Sequence, residues 1–263
     1  MRFAISNNEK VEAEPGRTGD CIGCGRPMLA KCGEIKMWHW SHKGERKCDP
    51  WWENETEWHR SWKALYPKEW QEVPHISETG EKHIADVKTN LDWVVEIQHS
   101  YIDPQERKSR ENFYKKVIWV VDGKRRKKDH IKFVEALNSG GVISNTPFFI
   151  RKLSNHDSAL VREWAECDAP VFFDFGERAK SGNTEIEIVW WLLPRDHNGN
   201  RSYVVLETKP RLAQRLRDDA SRAQDFEAVL SEFSSIIKER EEIEQKNRQI
   251  LERRKFRVNP LGI

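Results

Sequence analysis

Two short runs constrain this chain more than any other feature. Trp93-Val94-Val95-Glu96-Ile97 and Ile118-Trp119-Val120-Val121 carry apolar side chains at successive positions, interrupted only by Glu96. Side chains alternate along a strand, so such runs are apolar on both faces. Strands of that kind belong inside a layered α/β sheet covered above and below. His83-Ile84-Ala85-Asp86-Val87 precedes the first run, and the turn-like Thr89-Asn90-Leu91-Asp92 joins the two, which is a hairpin pattern. Val94, Glu96 and Gln98 share one face of the second strand, and Asp86 on its neighbour can join them. A buried charge needs a partner or a metal. Two carboxylates and a polar third group on rigid strands suit a hard divalent cation such as Mg²⁺. The same carboxylates also fit a solvent-facing amphipathic hairpin.

The flanking segments read as helices. Asp103 is a plausible N-cap with Pro104 at the first helical position. Arg107, Arg110 and Tyr114 then fall three and four residues apart, on one face. The strand Lys116–Val121 follows, ending at Asp122-Gly123, so a right-handed crossover is expected. Upstream, residues 51–70 read as a helix stopped by Pro67, with Trp58, Trp62 and Leu65 as its apolar stripe. Glu55, His59 and Lys63 recur every four residues as a second, polar stripe. It is either a solvated salt-bridge face or a face that overlooks the hairpin. In the second case Glu55 reaches the metal, and His59 or Lys63 binds phosphate.

Residues 1–50 form a candidate zinc module. Cys21-Ile-Gly-Cys24-Gly25 is a knuckle of two thiolates two residues apart, and His39-Trp-Ser-His42 offers a second pair at that spacing. Cys21, Cys24, His39 and His42 are the leading ligand set, Cys48 is the first substitute, and Cys32 is a spare. Four of the five cysteines lie between Cys21 and Cys48, which favours metal binding in a reducing cytoplasm over a disulfide framework. A four-ligand zinc site is closed, hence structural. Twelve tryptophans argue against a disordered chain despite 33% charged residues. A net charge of +2 says little about partners, and no run approaches a membrane span.

The remaining chain carries less chemistry. Lys124-Arg125-Arg126-Lys127-Lys128 is either a phosphate-contacting cluster or a solvated turn. Val142–Ile150 reads as a strand, Ser158–Cys167 as a short helix with Cys167 packing, and residues 170–209 as three further strands. From Pro210 to about Arg257 the chain reads as a long charged helix. Ala223, Phe226, Leu230, Phe233 and Ile237 form its short apolar seam, suited to docking on its own domain, on a second copy or on nucleic acid. The expected divisions are 1–50, 51–155, 156–209 and 210–263.

Several of these pieces together resemble the competence protein CoiA-like family. They are the Cys-x2-Cys knuckle, His39-Trp-Ser-His42, Glu55-x3-His59-x3-Lys63, Ala85-Asp86-Val87, Val95-Glu96-Ile97-Gln98-His99-Ser100, Arg110 with Tyr114, and Val117–Asp122. The resemblance covers roughly residues 20 to 122. It implies a PD-(D/E)xK nuclease core of restriction-endonuclease-like fold: a mixed sheet flanked by helices, behind a small zinc element, here with a long C-terminal helix. It further implies a cytoplasmic, Mg²⁺- or Mn²⁺-dependent deoxyribonuclease. Asp86 and Glu96 would hold the cation, Gln98 would stand where many relatives have Lys, and Glu55 would assist from the helix. His59, Lys63, Arg107, Arg110 and Tyr114 would contact substrate. DNA would be the partner, with a homo-oligomer through the C-terminal helix as a further option. The alternatives are a non-catalytic, zinc-containing nucleic-acid-binding protein and an oligomeric regulator with a degenerate core.

Overall fold

A computed structural model describes residues 1–44, 49–51, 55–77, 80–194, 201–217 and 226–258, the last five as backbone alone. The N-terminal segment is a five-stranded antiparallel sheet. Its strands are β1 (Phe3–Ser6), β2 (Glu9–Glu12), β3 (Thr18–Asp20), β4 (Pro27–Lys31) and β5 (His39–His42), in the order β2-β1-β3-β4-β5. Its small core of Ala4, Val11, Cys21, Met28 and Trp40 also takes in Ile84 from the second sheet.

The rest of the chain builds one nine-stranded sheet. After α1 (Glu57–Lys63) come β6 (Gln71–Ile76), β7 (Lys82–Lys88) and β8 (Val94–Gln98), then α2 (Pro104–Tyr114) and β9 (Val117–Asp122). There follow α3 (Asp129–Ser139), β10 (Gly141–Ser144), β11 (Ile150–Ser154), α4 (Ala159–Trp164), β12 (Val171–Ser181), β13 (Thr184–Leu192), β14 (Arg201–Thr208), α5 (Lys209–Arg215) and α6 (Phe226–Val258). The spatial order is β10-β11-β14-β13-β12-β9-β8-β7-β6. Neighbours β8, β9 and β12 run parallel, and the other pairs are antiparallel. The expected hairpin is present, and α2 connects the parallel neighbours β8 and β9. The division at 155/156 is not a boundary in the sheet, because β12 to β14 lie between β9 and β11.

Both faces of this sheet are covered, as the doubly apolar runs require. Ile118 and Val120 pack with Trp62, Leu212, Phe226 and Phe233 on one face. Trp119 and Val121 pack with Phe133, Leu160 and Trp164 on the other. The seam of α6 therefore docks on its own domain through Phe226, Val229, Phe233 and Ile237. Farther along, Ile243, Ile250 and Leu251 are exposed. No described helix is long and apolar enough to cross a membrane.

Two local expectations are corrected. The helix expected over 51–70 is α1 alone, started by a Thr56–His59 capping box and ended at Ala64, with a 3₁₀ turn after Pro67. Val142–Ile150 is not one strand but the end of β10, a turn and the start of β11, as Asn145 and Pro147 favour. The basic run is not uniform: Arg125 and Arg126 pair with Glu163 and Asp129, while Lys124, Lys127 and Lys128 are exposed on a turn. Asn198 and Gly199 favour a turn between the last two strands and Pro260 a tail from Asn259; these, Ala223 of the seam and Cys48 lie outside the described residues.

Candidate metal centres

A cavity of about 60 Å³ lies where α1, β7, β8, α2 and the N-terminal residue meet. Its lining includes Asp49, Glu55, His59, Lys63, Glu72, Asp86, Glu96, Gln98, Arg110 and Tyr114. The sheet is irregular here. The β7–β8 ladder is registered by Val87↔Val95 and Lys88↔Val94. Asp86, next in line, instead turns its carboxylate onto β8, and its Oδ2 accepts the Ile97 N–H at 3.0 Å. On β6, Glu72 falls between the pairs Gln71↔Val87 and Val73↔Ala85 with φ at 46°. The opening thus made is filled by charged side chains rather than by ladder hydrogen bonds.

Lys63 is the hub. Its Nζ lies 2.9 Å from Asp86 Oδ1, 3.2 Å from Glu55 Oε1 and 3.4 Å from Glu72 Oε1. Burial alone would lower its pKa, but Asp86, Glu72 and Glu55 outweigh that and hold the ammonium above its ordinary 10.5. Glu72 is also fully buried, which by itself favours the neutral acid. Lys63 and the amides of Arg2 and Phe3 outweigh that burial and bring it down to about 2.

Glu96 is the contrasting carboxylate. Its Oε2 pairs with Arg110 Nη1 at 2.9 Å, while its Oε1 is buried and has no hydrogen-bond partner. Burial pushes its pKa up to about 8, with Arg110 opposing and Asp86 adding to the rise. An unsatisfied carboxylate oxygen in a cavity is costly, unless a cation or a proton completes it. Gln98 presents its amide to the same cavity and donates from Nε2 to Ser100 O at 3.2 Å. Five carboxylates (Asp49, Glu55, Glu72, Asp86 and Glu96) share the lining with three cationic groups: Lys63, Arg110 and the N-terminal ammonium of Met1, which also acts on Glu72. The donor set is hard oxygen with excess negative charge, which fits Mg²⁺ or Mn²⁺.

The polar stripe of α1 is thus not a solvated face. Glu55, His59 and Lys63 all line the cavity, and Glu55 is held by Arg60 and Lys63. His59, Lys63, Arg107, Arg110 and Tyr114, the expected substrate contacts, are all buried, between 3% and 7% exposed. Arg107 lies outside the cavity lining, bonded to Glu163 O and packed over Trp164. Its side chain meets α4 rather than the cavity. Sequence reasoning missed Glu72 and Asp49, which sit in no motif. Asp49 is identifiable only through its contacts, accepting from His83 Nδ1 and the Ile84 N–H.

The second centre is in the N-terminal sheet. The ligand atoms of Cys21, Cys24 and His42 lie within 4.8 Å of one another, with Cys24 Sγ 3.4 Å from His42 Nε2. Two thiolates and an imidazole could hold a metal such as zinc. His39 is not part of this cluster, and its Nδ1 meets Met37 O at 2.8 Å. The reason is strand geometry: residues three apart on β5 point to opposite faces. Cys32 is also outside the cluster. Among the described residues, this is the one group of three His, Cys, Asp or Glu side chains with mutually close ligand atoms.

Comparison with known proteins returned no matching family model, no matching curated protein and no matching solved structure.

Proposed function

We propose that this protein hydrolyses DNA phosphodiester bonds with a divalent cation, Mg²⁺ or Mn²⁺, held by Asp86 and Glu96. One observation carries the reading. A buried Glu96 Oε1 without a partner faces a cavity that Asp86 and Gln98 also line. When bound there, such a cation supplies Lewis acidity and makes an attacking water more acidic. The chain's own groups do the rest. Arg110 fixes Glu96 through Oε2, leaving Oε1 for the cation. The Ile97 N–H fixes Asp86 through Oδ2. Gln98 cannot take a proton, so its amide orients water or a phosphate oxygen. Lys63, 2.9 Å from Asp86, supplies positive charge beside the scissile phosphate. Zinc at Cys21, Cys24 and His42 would tie together a sheet with a small core, and Cys48, outside the described residues, is the sequence's candidate for the fourth ligand that would close the site.

The order of elements supports a restriction-endonuclease-like core. A helix, an antiparallel three-strand unit, a crossover helix and a parallel strand follow in that order, and α1, β6, β7, β8 and α2 supply His59, Lys63, Glu72, Asp86, Glu96, Gln98 and Arg110 to one cavity. That also agrees with the CoiA-like resemblance of residues 20 to 122. A second reading, a non-catalytic nucleic-acid-binding protein or oligomeric regulator with a degenerate core, is favoured by the ion pair that already occupies Asp86 Oδ1. The test is to incubate the protein with single-stranded, nicked and duplex DNA, and with RNA, with and without Mn²⁺. Mn²⁺-dependent DNA cleavage, lost in Asp86→Ala and Glu96→Ala, supports the first reading. Binding that survives chelation, with no product, supports the second.

A further inference from the structure

We infer that Glu72 is a positioning residue that ties the start of the N-terminal sheet, through Lys63, to the candidate cation ligand Asp86. The inference rests on the divalent-cation reading above and extends it to a residue that belongs to none of the sequence motifs.

Glu72 is 4% exposed, and both of its oxygens are engaged from the N-terminal side. Oε1 accepts the Arg2 N–H at 2.8 Å and Oε2 accepts the Phe3 N–H at 2.9 Å. These amides stand at the start of β1. The same Oε1 lies 3.4 Å from Lys63 Nζ, and that ammonium lies 2.9 Å from Asp86 Oδ1. A continuous chain of polar contacts therefore runs from the β1 backbone to the candidate metal ligand. The Glu72 backbone has φ at 46°, in the left-handed region that residues with a Cβ seldom occupy. Such a conformation persists only where its surroundings over-determine it. Here the two amides and Lys63 do so.

A second contact joins the same two regions. A Cβ added at Gly23, between Cys21 and Cys24, would stand 2.7 Å from Ile84 Cδ1. Ile84 lines the cavity two residues before Asp86. The knuckle that carries the thiolates thus rests directly on the strand that carries the carboxylate.

The chemistry fixes the sign of the effect. Glu72 shares the charge of Lys63 with Asp86 and Glu55. Without it, that charge falls on Asp86 more fully and competes with a cation for the same oxygen. Loss of Glu72 should weaken cation binding without touching the ligands themselves.

The experiment uses the full-length, zinc-loaded protein with Glu72→Gln and Glu72→Ala, and Mn²⁺ as the probe, titrated by electron paramagnetic resonance. Outer-shell partners of metal ligands are commonly worth 10–100-fold in affinity, so the expected loss is about tenfold for both variants. The kcat on DNA should fall in parallel, while KM stays within about twofold. Zinc content per chain should not change. The isosteric Glu72→Gln decides the matter if Glu72→Ala fails to fold. A folded Glu72→Gln with Mn²⁺ affinity and kcat like those of the wild type overturns the inference and leaves the divalent-cation reading standing. Wild-type protein that binds no Mn²⁺, or binds it equally after Asp86→Ala, overturns both.

Discussion

Strands β8 and β9 are parallel neighbours in one register, and every residue of both is buried. Glu96 lies beside Trp119, and Gln98 beside Val121. At matching depth on one face, β9 carries the side chains a sheet interior demands and β8 carries a carboxylate and an amide. The fold does not require those polar groups. Trp119 packs with Trp164 and Phe133, whereas Glu96 needs Arg110 merely to offset its own burial and still keeps one oxygen unsatisfied. A buried ion pair is weak support for stability. The difference teaches that β9 carries only what the sheet interior needs, whereas β8 keeps buried polar groups that the proposed site would use.

Substitutions on the two strands should separate activity from stability. The largest expected effect is on the site. Asp86→Ala should lower Mn²⁺-dependent DNA cleavage roughly a thousandfold, because a catalytic cation supplies several kcal/mol. Its far-ultraviolet circular dichroism should be unchanged. On the apolar strand, Trp119→Ala should lower unfolding free energy by about 3–5 kcal/mol, read by urea titration. Cleavage per folded molecule should survive. An Asp86→Ala protein that cleaves normally, or a Trp119→Ala protein that is stable but inactive, would break the comparison.

A pH series sharpens it further. In the cation-free protein the Glu96 carboxyl is raised from its ordinary 4.5 to about 8, chiefly by burial. The folded state therefore holds a proton that the unfolded chain releases between those values. Glu96 thus contributes stability that is full below about pH 4.5 and is lost as pH rises through 8. Glu72, lowered to about 2, acts oppositely: its contribution is present above pH 4.5 and is lost as pH falls toward 2. Chemical denaturation from pH 5 to 9 should show a decline that Glu96→Gln flattens. An unchanged slope in that variant would mean Glu96 is not the group responsible. The smallest effect belongs to Gly23→Ala. Its Cβ must displace the mobile end of Ile84, so Mn²⁺ affinity should fall only about twofold to fivefold with zinc retained.

The sheet and the site were legible to different degrees. Two-sided apolar runs announce buried strands, and Thr89–Asp92 announces the hairpin, because both signals are local. The convergence of Glu96 and Gln98 on one cavity follows from those elements. Strand alternation explains Glu96 and Gln98. It does not explain Asp86, which reaches the site by bonding to the Ile97 amide. The roles of Lys63, Arg107 and Arg110 were not legible, since helical spacing gives a shared face but not what covers it. Arg107 and Arg110 share a face of α2, yet one meets α4 and the other Glu96. Glu72 was hidden for a similar reason: its partners are backbone amides some seventy residues away, at Arg2 and Phe3. At the Cys–His centre, spacing found Cys21, Cys24 and His42 but included His39, because equal separation in sequence ignores the period of a strand.

The most direct test is a crystal of the protein soaked in Mn²⁺ and measured at an anomalous wavelength. The expected result is a peak at coordinating distance from Asp86 and from Glu96 Oε1. Manganese found elsewhere, with the Glu96 oxygen still without a ligand, would contradict the account.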